Sequence, residues 1–132
     1  MPYRFYPSLV EMAADVDTLI SVAPGGPSTH HLVNAQVLKA LGPEGIVVNV
    51  GRGTVIDEKA LIEALQNKTI LSAGLDVFED EPRVPAELIA IEHAVLLPHV
   101  GSASVHTREQ MGQGVRVEAV HGENEHGKNY MA

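Results

Sequence analysis

Four polar residues that could bind or react with a small molecule follow apolar runs of the sequence: Arg52, Asp76, Glu81 and His99. Arg52 stands out among them, because flanking glycines let the backbone turn sharply after the apolar run at 46–50. A permanently charged guanidinium in such a place suits an anionic small molecule. Taken singly, these residues also have a structural interpretation, as a solvated loop arginine, members of a solvated acidic run at 79–81, or a turn histidine beside a proline.

The elements that must position these residues alternate along the chain. Apolar runs predict strands at about 18–23, 46–50, 71–78 and 94–97. Helices are predicted at about 8–14, 34–41, 57–65, 85–91 and 102–120, with Ser8, Asn34 and Asp57 as N-caps. This alternation is typical of an α/β fold with a doubly wound parallel sheet. Because parallel strands end at one edge of a sheet, we expect the four polar residues to lie along that edge, with Arg52 and His99 facing a common cleft.

Length and composition bound the class of protein. The 132 residues correspond to one domain or a piece of one, and 45% hydrophobic with 20% charged residues is ordinary globular composition. The lack of cysteine excludes disulfides and thiolate metal sites, and no apolar segment suggests membrane insertion or secretion. A net charge of −8 with scattered Lys and Arg disfavours a nucleic-acid partner. The expectation is a soluble cytoplasmic protein.

Three segments together resemble the D-isomer-specific 2-hydroxyacid dehydrogenases. They are Asn49-Val50-Gly51-Arg52-Gly53 with Asp57, Gly74-Leu75-Asp76-Val77-Phe78-Glu79-Asp80-Glu81-Pro82, and Pro98-His99-Val100-Gly101-Ser102. Their order and spacing are similar to those of the family. Within it, the segments at 3–14 and 38–42 look most like the glyoxylate/hydroxypyruvate reductase branch, and the resemblance covers about residues 3–111. Chance does not place three such motifs in register, so together they outweigh the structural interpretation of each residue.

The resemblance implies NAD(P)-dependent reduction of a small 2-keto acid, like glyoxylate or hydroxypyruvate, to a D-2-hydroxy acid. It implies that Arg52 holds the carboxylate and keto oxygen of the substrate. His99 is implied to be the general acid, since an imidazole with an ordinary pKa of about 6.5 exchanges protons near neutrality, and Glu81 to orient it and favour its protonated form. Asp76 is implied to meet the nicotinamide. The implied cofactor-binding residues are Ala23, Pro24, Thr29, Val50, Gly51, Arg52, Asp76, His99 and Gly101.

Two departures from the family pattern concern the ends of the chain. No G-x-G-x-x-G follows a predicted strand, although that loop brings backbone amides to the pyrophosphate of a dinucleotide. We therefore expect a truncated protein, with the second half of a Rossmann-like nucleotide-binding domain at 1–101, a helix at 102–120 that would rejoin a substrate domain, and a frayed tail at 121–132. Branch resemblance slightly favours NADP over NAD.

Assembly, metal binding and an alternative function complete the expectations. The full-length parent is expected to be a homodimer. No metal site is expected, because His30, His31 and the other histidines lack companions at ligand spacing in the sequence. The alternative function is a non-catalytic interaction or nucleotide-sensing protein that keeps the fold. The expected absence of the first half of the nucleotide-binding domain and of the substrate domain favours that alternative. The joint presence of Arg52, Glu81 and His99 disfavours it.

Overall fold

A computed structural model describes residues 3–121, with side chains described as far as residue 113. Its strands are β1 (Thr18–Ser21), β2 (Ile46–Asn49), β3 (Ser72–Leu75) and β4 (Ala94–Leu96). Its helices are α1 (Leu9–Asp15), α2 (Ala35–Leu41), α3 (Glu58–Gln66), α4 (Ala86–Ile89) and α5 (Val105–His121), and a 3₁₀ turn spans Gly53–Val55. The predicted alternation of strands and helices is confirmed.

The strands form one parallel sheet in the order β1-β2-β3-β4. This confirms the α/β class and the parallel sheet. All four strands end at the same edge, as parallel pairing requires. Each backbone ladder extends one residue beyond its strand, because the amides of Val50, Asp76 and Leu97 donate to the carbonyls of Ser21, Asn49 and Leu75 at 3.1, 3.0 and 2.8 Å.

Strands β1 and β3 are shorter than predicted. The apolar runs continue to residues 23 and 78, but the sheet pairing stops at Ser21 and Leu75. The apolar run continues beyond the last paired residue of β3 because Val77 and Phe78 are buried in the connection that follows the strand. These connections, rather than the strands themselves, carry the residues of the predicted site.

Three helix starts are capped as predicted. The side chain of Ser8 accepts from the amide of Glu11 at 3.5 Å, that of Asn34 from Val37 at 3.1 Å, and that of Asp57 from Ala60 at 3.1 Å. Each bond satisfies an amide that a helix start leaves without an intrahelical partner. The caps fix where α1, α2 and α3 begin, and therefore where the preceding loops end.

The two faces of the sheet differ in their cover. Leu19, Val47 and Ala73 lie in one register row and are buried in a core shared with α1, α2, α3 and α4. The neighbouring row points to the opposite face and consists of Ile20, Val48, Gly74 and Val95. On that face Ile20 is 60% exposed and Val95 is 62% exposed. This second row is apolar, and we call it the open face.

The chain divides into two compact units, with the boundary between His99 and Val100. The first unit holds the sheet and α1 to α4, and the second contains α5. No helix within the described part of the chain is both long and apolar enough to cross a membrane. Apart from His121, the predicted tail at 121–132 lies outside the described residues.

We predict that the 132-residue chain self-associates. Among the described residues β1 has a strand on one side only, and the adjoining open face exposes Ile20 and Val95. Unpaired strand edges and bare apolar patches both favour association. Light scattering across a concentration series should therefore show mass rising with concentration, and Ile20→Lys should reduce the rise.

Val105→Lys is the matched control for this experiment, because Val105 is 76% exposed but lies in the other unit. A monomer at every concentration tested, or an equal effect of the two substitutions, would contradict the prediction.

Candidate functional site

The connections that follow the strands enclose a cleft of about 690 Å³. It lies at the carboxyl edge of the sheet, where ligands of open parallel sheets bind. Of the residues predicted to act in catalysis or cofactor binding, the lining includes Ala23, Pro24, Val50, Gly51, Arg52, Glu81 and His99. The fold therefore brings together side chains that are as far apart in sequence as Ala23 and His99.

Asn49 organises the connection that carries Arg52. Its side chain is buried, with 1% exposure, at the last position of β2. The amide oxygen accepts from the backbone N–H of Gly51 at 3.1 Å, and the amide nitrogen donates to the carbonyl of Arg52 at 2.9 Å. These two bonds hold the backbone on both sides of residue 51, and so fix the direction in which Arg52 leaves the sheet.

Gly51 and Gly53 are required by close backbone contacts. A Cβ at Gly51 would lie 2.5 Å from the carbonyl oxygen of Ala23, and a Cβ at Gly53 would lie 1.9 Å from that of Phe78. No side chain can occupy either position without moving a neighbouring connection. The loop after β2 is thus packed directly against the connections after β1 and β3, and this packing shapes the cleft.

Arg52 supplies the positive charge of the cleft. Its side chain is exposed, and its Nη1 donates to the carbonyl of Gly51 at 2.9 Å. No carboxylate among the described side chains forms an ion pair with it. The guanidinium therefore keeps donors available for an anion that enters the cleft.

Glu81 and His99 form a pair on the same cleft. One oxygen of Glu81, Oε2, lies 2.8 Å from Nδ1 of His99, and the other, Oε1, accepts from the backbone N–H of Phe78 at 3.0 Å. The hydrogen bond to His99 lowers the pKa of Glu81, and the Phe78 amide and the charge of Arg52 act in the same direction. Glu81 is thus held as an anion that fixes the orientation of the imidazole.

The backbone of His99 has a left-handed conformation, with φ of 57°. A non-glycine residue adopts this conformation at a cost of about 1–3 kcal/mol, and such residues concentrate at functional sites. A second pocket of about 370 Å³, mostly apolar, shares Phe78, Glu81 and His99 with the cleft. The Glu81–His99 pair therefore borders both cavities.

Two predicted cofactor-binding residues of the first unit, Thr29 and Asp76, lie off the lining of the cleft. Thr29 donates from its hydroxyl to the carbonyl of Pro24 at 2.6 Å, which closes the loop after β1. Asp76 is 6% exposed at the end of β3, with its backbone amide bonded to Asn49. Gly101 belongs to the second unit. The first two are placed to support the loops that form the cleft, and their predicted roles toward a cofactor stay predictions.

A second group of ionisable side chains lies beside the cleft and was missed in the sequence. His31 contacts the carboxylate of Glu79 through Nε2, and its Nδ1 lies 3.8 Å from Oδ2 of Asp57. The hydrogen bond with Glu79 raises the pKa of His31. Burial raises the pKa of Glu58, whose carboxylate accepts from the amide of Glu79 at 3.1 Å. The contact between His31 and Glu79 joins residues 48 apart, so no local motif could indicate it.

We predict that Asn49→Leu lowers the free energy of unfolding by about 1–3 kcal/mol, because a buried amide and a carbonyl lose their partners. Asn49→Asp is the matched variant, since it can still accept from Gly51 but cannot donate to Arg52. The free energy of unfolding lost in Asn49→Asp should therefore differ from that lost in Asn49→Leu. Urea denaturation followed by circular dichroism measures both, and an Asn49→Leu protein as stable as the wild type would contradict the structural role.

A pH dependence follows from the lowered pKa of Glu81. A carboxyl whose pKa is lowered by folding stabilises the protein above its unfolded value of 4.5, and that contribution disappears as the pH falls through the folded value. The wild type should therefore melt at a higher temperature than Glu81→Gln at neutral pH. The two melting temperatures should converge as the pH falls below about 4.5. A difference that does not change with pH would contradict the pairing with His99.

Solved structures similar to this chain carry the same fold. The NADPH-dependent glyoxylate/hydroxypyruvate reductase of Sinorhizobium meliloti, crystallised with NADP and malonate, is 50% identical and superimposes with a TM-score of 0.90 over 99% of this chain and 41% of its own. A glyoxylate reductase from Paecilomyes thermophila is 33% identical, with a TM-score of 0.83 over 96% of this chain and 38% of its own. These similarities confirm the Rossmann-like fold.

Curated relatives agree with the structural comparison. Hydroxyphenylpyruvate reductase of Plectranthus scutellarioides is 49% identical over 109 residues, which make up 83% of this chain and 35% of the relative. The chain thus spans about a third of the length of such relatives. Residues 2–101 match the family model described as D-isomer specific 2-hydroxyacid dehydrogenase, NAD binding domain. The chain belongs to the D-isomer-specific 2-hydroxyacid dehydrogenase family, through its NAD-binding domain.

Proposed function

We propose that this chain forms the catalytic edge of an NAD(P)-dependent reductase that converts a small 2-keto acid, such as glyoxylate or hydroxypyruvate, to a D-2-hydroxy acid. The observation that carries the proposal is the placement of a cation, Arg52, and a carboxylate-bound imidazole, His99, on one cleft. The names of the similar proteins from Sinorhizobium meliloti and Plectranthus scutellarioides support the same class of reaction.

The residues present suit the nicotinamide half of a dinucleotide. The cleft of about 690 Å³ lies in the size range of small-molecule sites, and Ala23, Pro24, Val50 and Gly51 are among the residues that line it. The close contact of Gly51 with Ala23 brings these two connections together without an intervening side chain. When bound, the nicotinamide exchanges a hydride with the substrate carbon. NADP is the proposed form of the cofactor, on the basis of the Sinorhizobium meliloti complex.

Arg52 is proposed to bind the substrate. Its guanidinium can donate two parallel hydrogen bonds to a carboxylate, or to the carboxylate and keto oxygens together. The backbone carbonyl of Gly51 already holds Nη1, so the orientation of the fork is restricted before substrate enters. A 2-keto acid would thus be held with its carbonyl inside the cleft that Glu81 and His99 also line.

His99 is proposed to donate the proton. Nδ1 faces Glu81, which leaves Nε2 as the nitrogen available to a keto oxygen. Protonated His99 would give its Nε2 proton to that oxygen during reduction and recover it in the reverse direction. Glu81 acts as a positioning residue, because the Phe78 amide holds its second oxygen and so restricts rotation of the carboxylate.

We infer a homodimer for a protein of the full length of the relatives, as the resemblance to the family implies. A cytoplasmic location is supported by the composition, which lacks cysteine.

The test is a hybrid reductase, in which this chain replaces the matching segment of the Sinorhizobium meliloti enzyme. We predict that the hybrid oxidises NADPH in the presence of glyoxylate or hydroxypyruvate, measured by absorbance. His99→Ala should lower kcat by about 10²–10⁴-fold, the usual range for loss of a general acid. Arg52→Ala should raise KM for the keto acid and also lower kcat.

Two controls make this experiment decisive. His106→Ala removes an exposed histidine from the second unit and should leave turnover unchanged. The 132-residue chain by itself should show no turnover, because its sequence lacks the glycine-rich pyrophosphate loop. An unimpaired His99→Ala hybrid would overturn the assignment of the acid, and a folded hybrid that binds NADPH without any turnover would favour the non-catalytic alternative.

A further inference from the structure

The side chains of His30, His31 and Glu79 form a compact group beside the cleft. Each offers one ligand atom, and these atoms lie within 4.8 Å of one another. The two imidazole rings are stacked, with centroids 3.9 Å apart and planes inclined by 17°. Two imidazole nitrogens and a carboxylate oxygen form a donor set that zinc and similar divalent transition metals prefer.

We propose that His30, His31 and Glu79 bind a divalent transition-metal ion, with Zn²⁺ as the best match to their donor atoms. Ligand atoms of a tetrahedral zinc site lie about 3.4 Å apart, given metal–ligand bonds of about 2.1 Å. His30 is exposed, so rotation of its ring can close the remaining gap. The fourth position is left to water or another small ligand.

The backbone on both sides of the group is already fixed. The amide of His31 donates to the carbonyl of Thr54 at 2.8 Å, and Val33 is bonded to Val55 at 3.0 Å. On the other side, the amide of Glu79 donates to the Glu58 carboxylate at 3.1 Å. The ligands are thus held on connections whose positions do not depend on the ion, which lowers the entropic cost of binding.

The surroundings of the group also favour a cation. Asp57 places Oδ2 3.8 Å from Nδ1 of His31, on the ring nitrogen opposite to the one that faces Glu79. At this distance Asp57 adds negative charge beside the ring, which favours a cation nearby. With Glu58 beside Glu79, the local charge is negative, which attracts a divalent ion.

The bound ion would join two connections of the sheet. His30 and His31 lie between β1 and α2, and Glu79 lies in the connection after β3, where it also lines the cleft. An ion in this position stabilises the rim of the cleft, which Glu79 also lines. This role goes beyond the proposed reductase function and does not depend on it.

Zinc titration of the metal-stripped 132-residue chain tests the proposal by calorimetry and thermal melting. We expect one Zn²⁺ per chain at this site and a melting temperature that rises with zinc. His30→Gln and Glu79→Gln should each weaken binding by about tenfold or more, since even the partners of metal ligands are worth 10–100-fold. Co²⁺ in place of zinc should give visible absorption bands in the wild type that His30→Gln loses.

The control is His126→Gln, because the C-terminal segment also carries histidines that could bind zinc. This variant should retain the affinity and the thermal shift of the wild type. Absence of zinc binding, binding of equal strength in His30→Gln, or a loss in His126→Gln instead would each overturn the proposal. Circular dichroism of every variant distinguishes a loss of binding from a loss of fold. Because His30 is exposed, His30→Gln is the variant least expected to disturb folding.

Discussion

The candidate site depends on one buried amide. Asn49 stands at the end of an otherwise apolar strand, where a polar side chain is tolerated only if its hydrogen bonds are satisfied. Both of its side-chain atoms bond to the backbone that leads into Arg52, at 3.1 and 2.9 Å. The interaction converts the end of a strand into a loop of defined shape, and the other parts of the cleft are packed against that loop.

Two close contacts extend this constraint to the neighbouring connections. Gly51 packs on the backbone of Ala23 and Gly53 on that of Phe78, at distances that exclude any side chain. Phe78 in turn donates its amide to Glu81, which bonds to His99. A continuous series of contacts thus runs from Asn49 to His99, so the relative positions of Arg52 and His99 are set by backbone packing. Such preorganisation is what the proton transfer proposed for His99 requires.

Local features of the fold could be predicted from the sequence, because they depend on residues close together in the chain. Asn34 and Asp57 were identifiable as N-caps from their position before apolar periodicity, and β2 from its apolar run. The ends of β1 and β3 were not, since buried residues such as Val77 continue the apolar pattern beyond the last paired residue. Strand ends depend on where the partner strand diverges, which is a tertiary property.

The candidate site was predictable to a similar extent. The motifs placed Arg52, Glu81 and His99 at strand ends, and parallel topology brings such ends to one edge. The supporting roles of Asn49 and Thr29 were not apparent, because they are hydrogen bonds to backbone groups rather than motifs. The contact between His31 and Glu79 was missed for a different reason. It joins residues 48 apart, and spacing rules for metal ligands apply to neighbouring positions in the chain.

A crystal structure of the hybrid reductase with NADP and malonate bound, the ligands of the Sinorhizobium meliloti complex, would show directly whether Arg52 and His99 bind one ligand together. We predict that a malonate carboxylate is held by the Arg52 guanidinium and that another malonate oxygen lies within hydrogen-bond distance of Nε2 of His99, with Glu81 on Nδ1. Malonate bound elsewhere in the cleft, with the Arg52 and His99 side chains turned away from it, would contradict the roles proposed for these two residues.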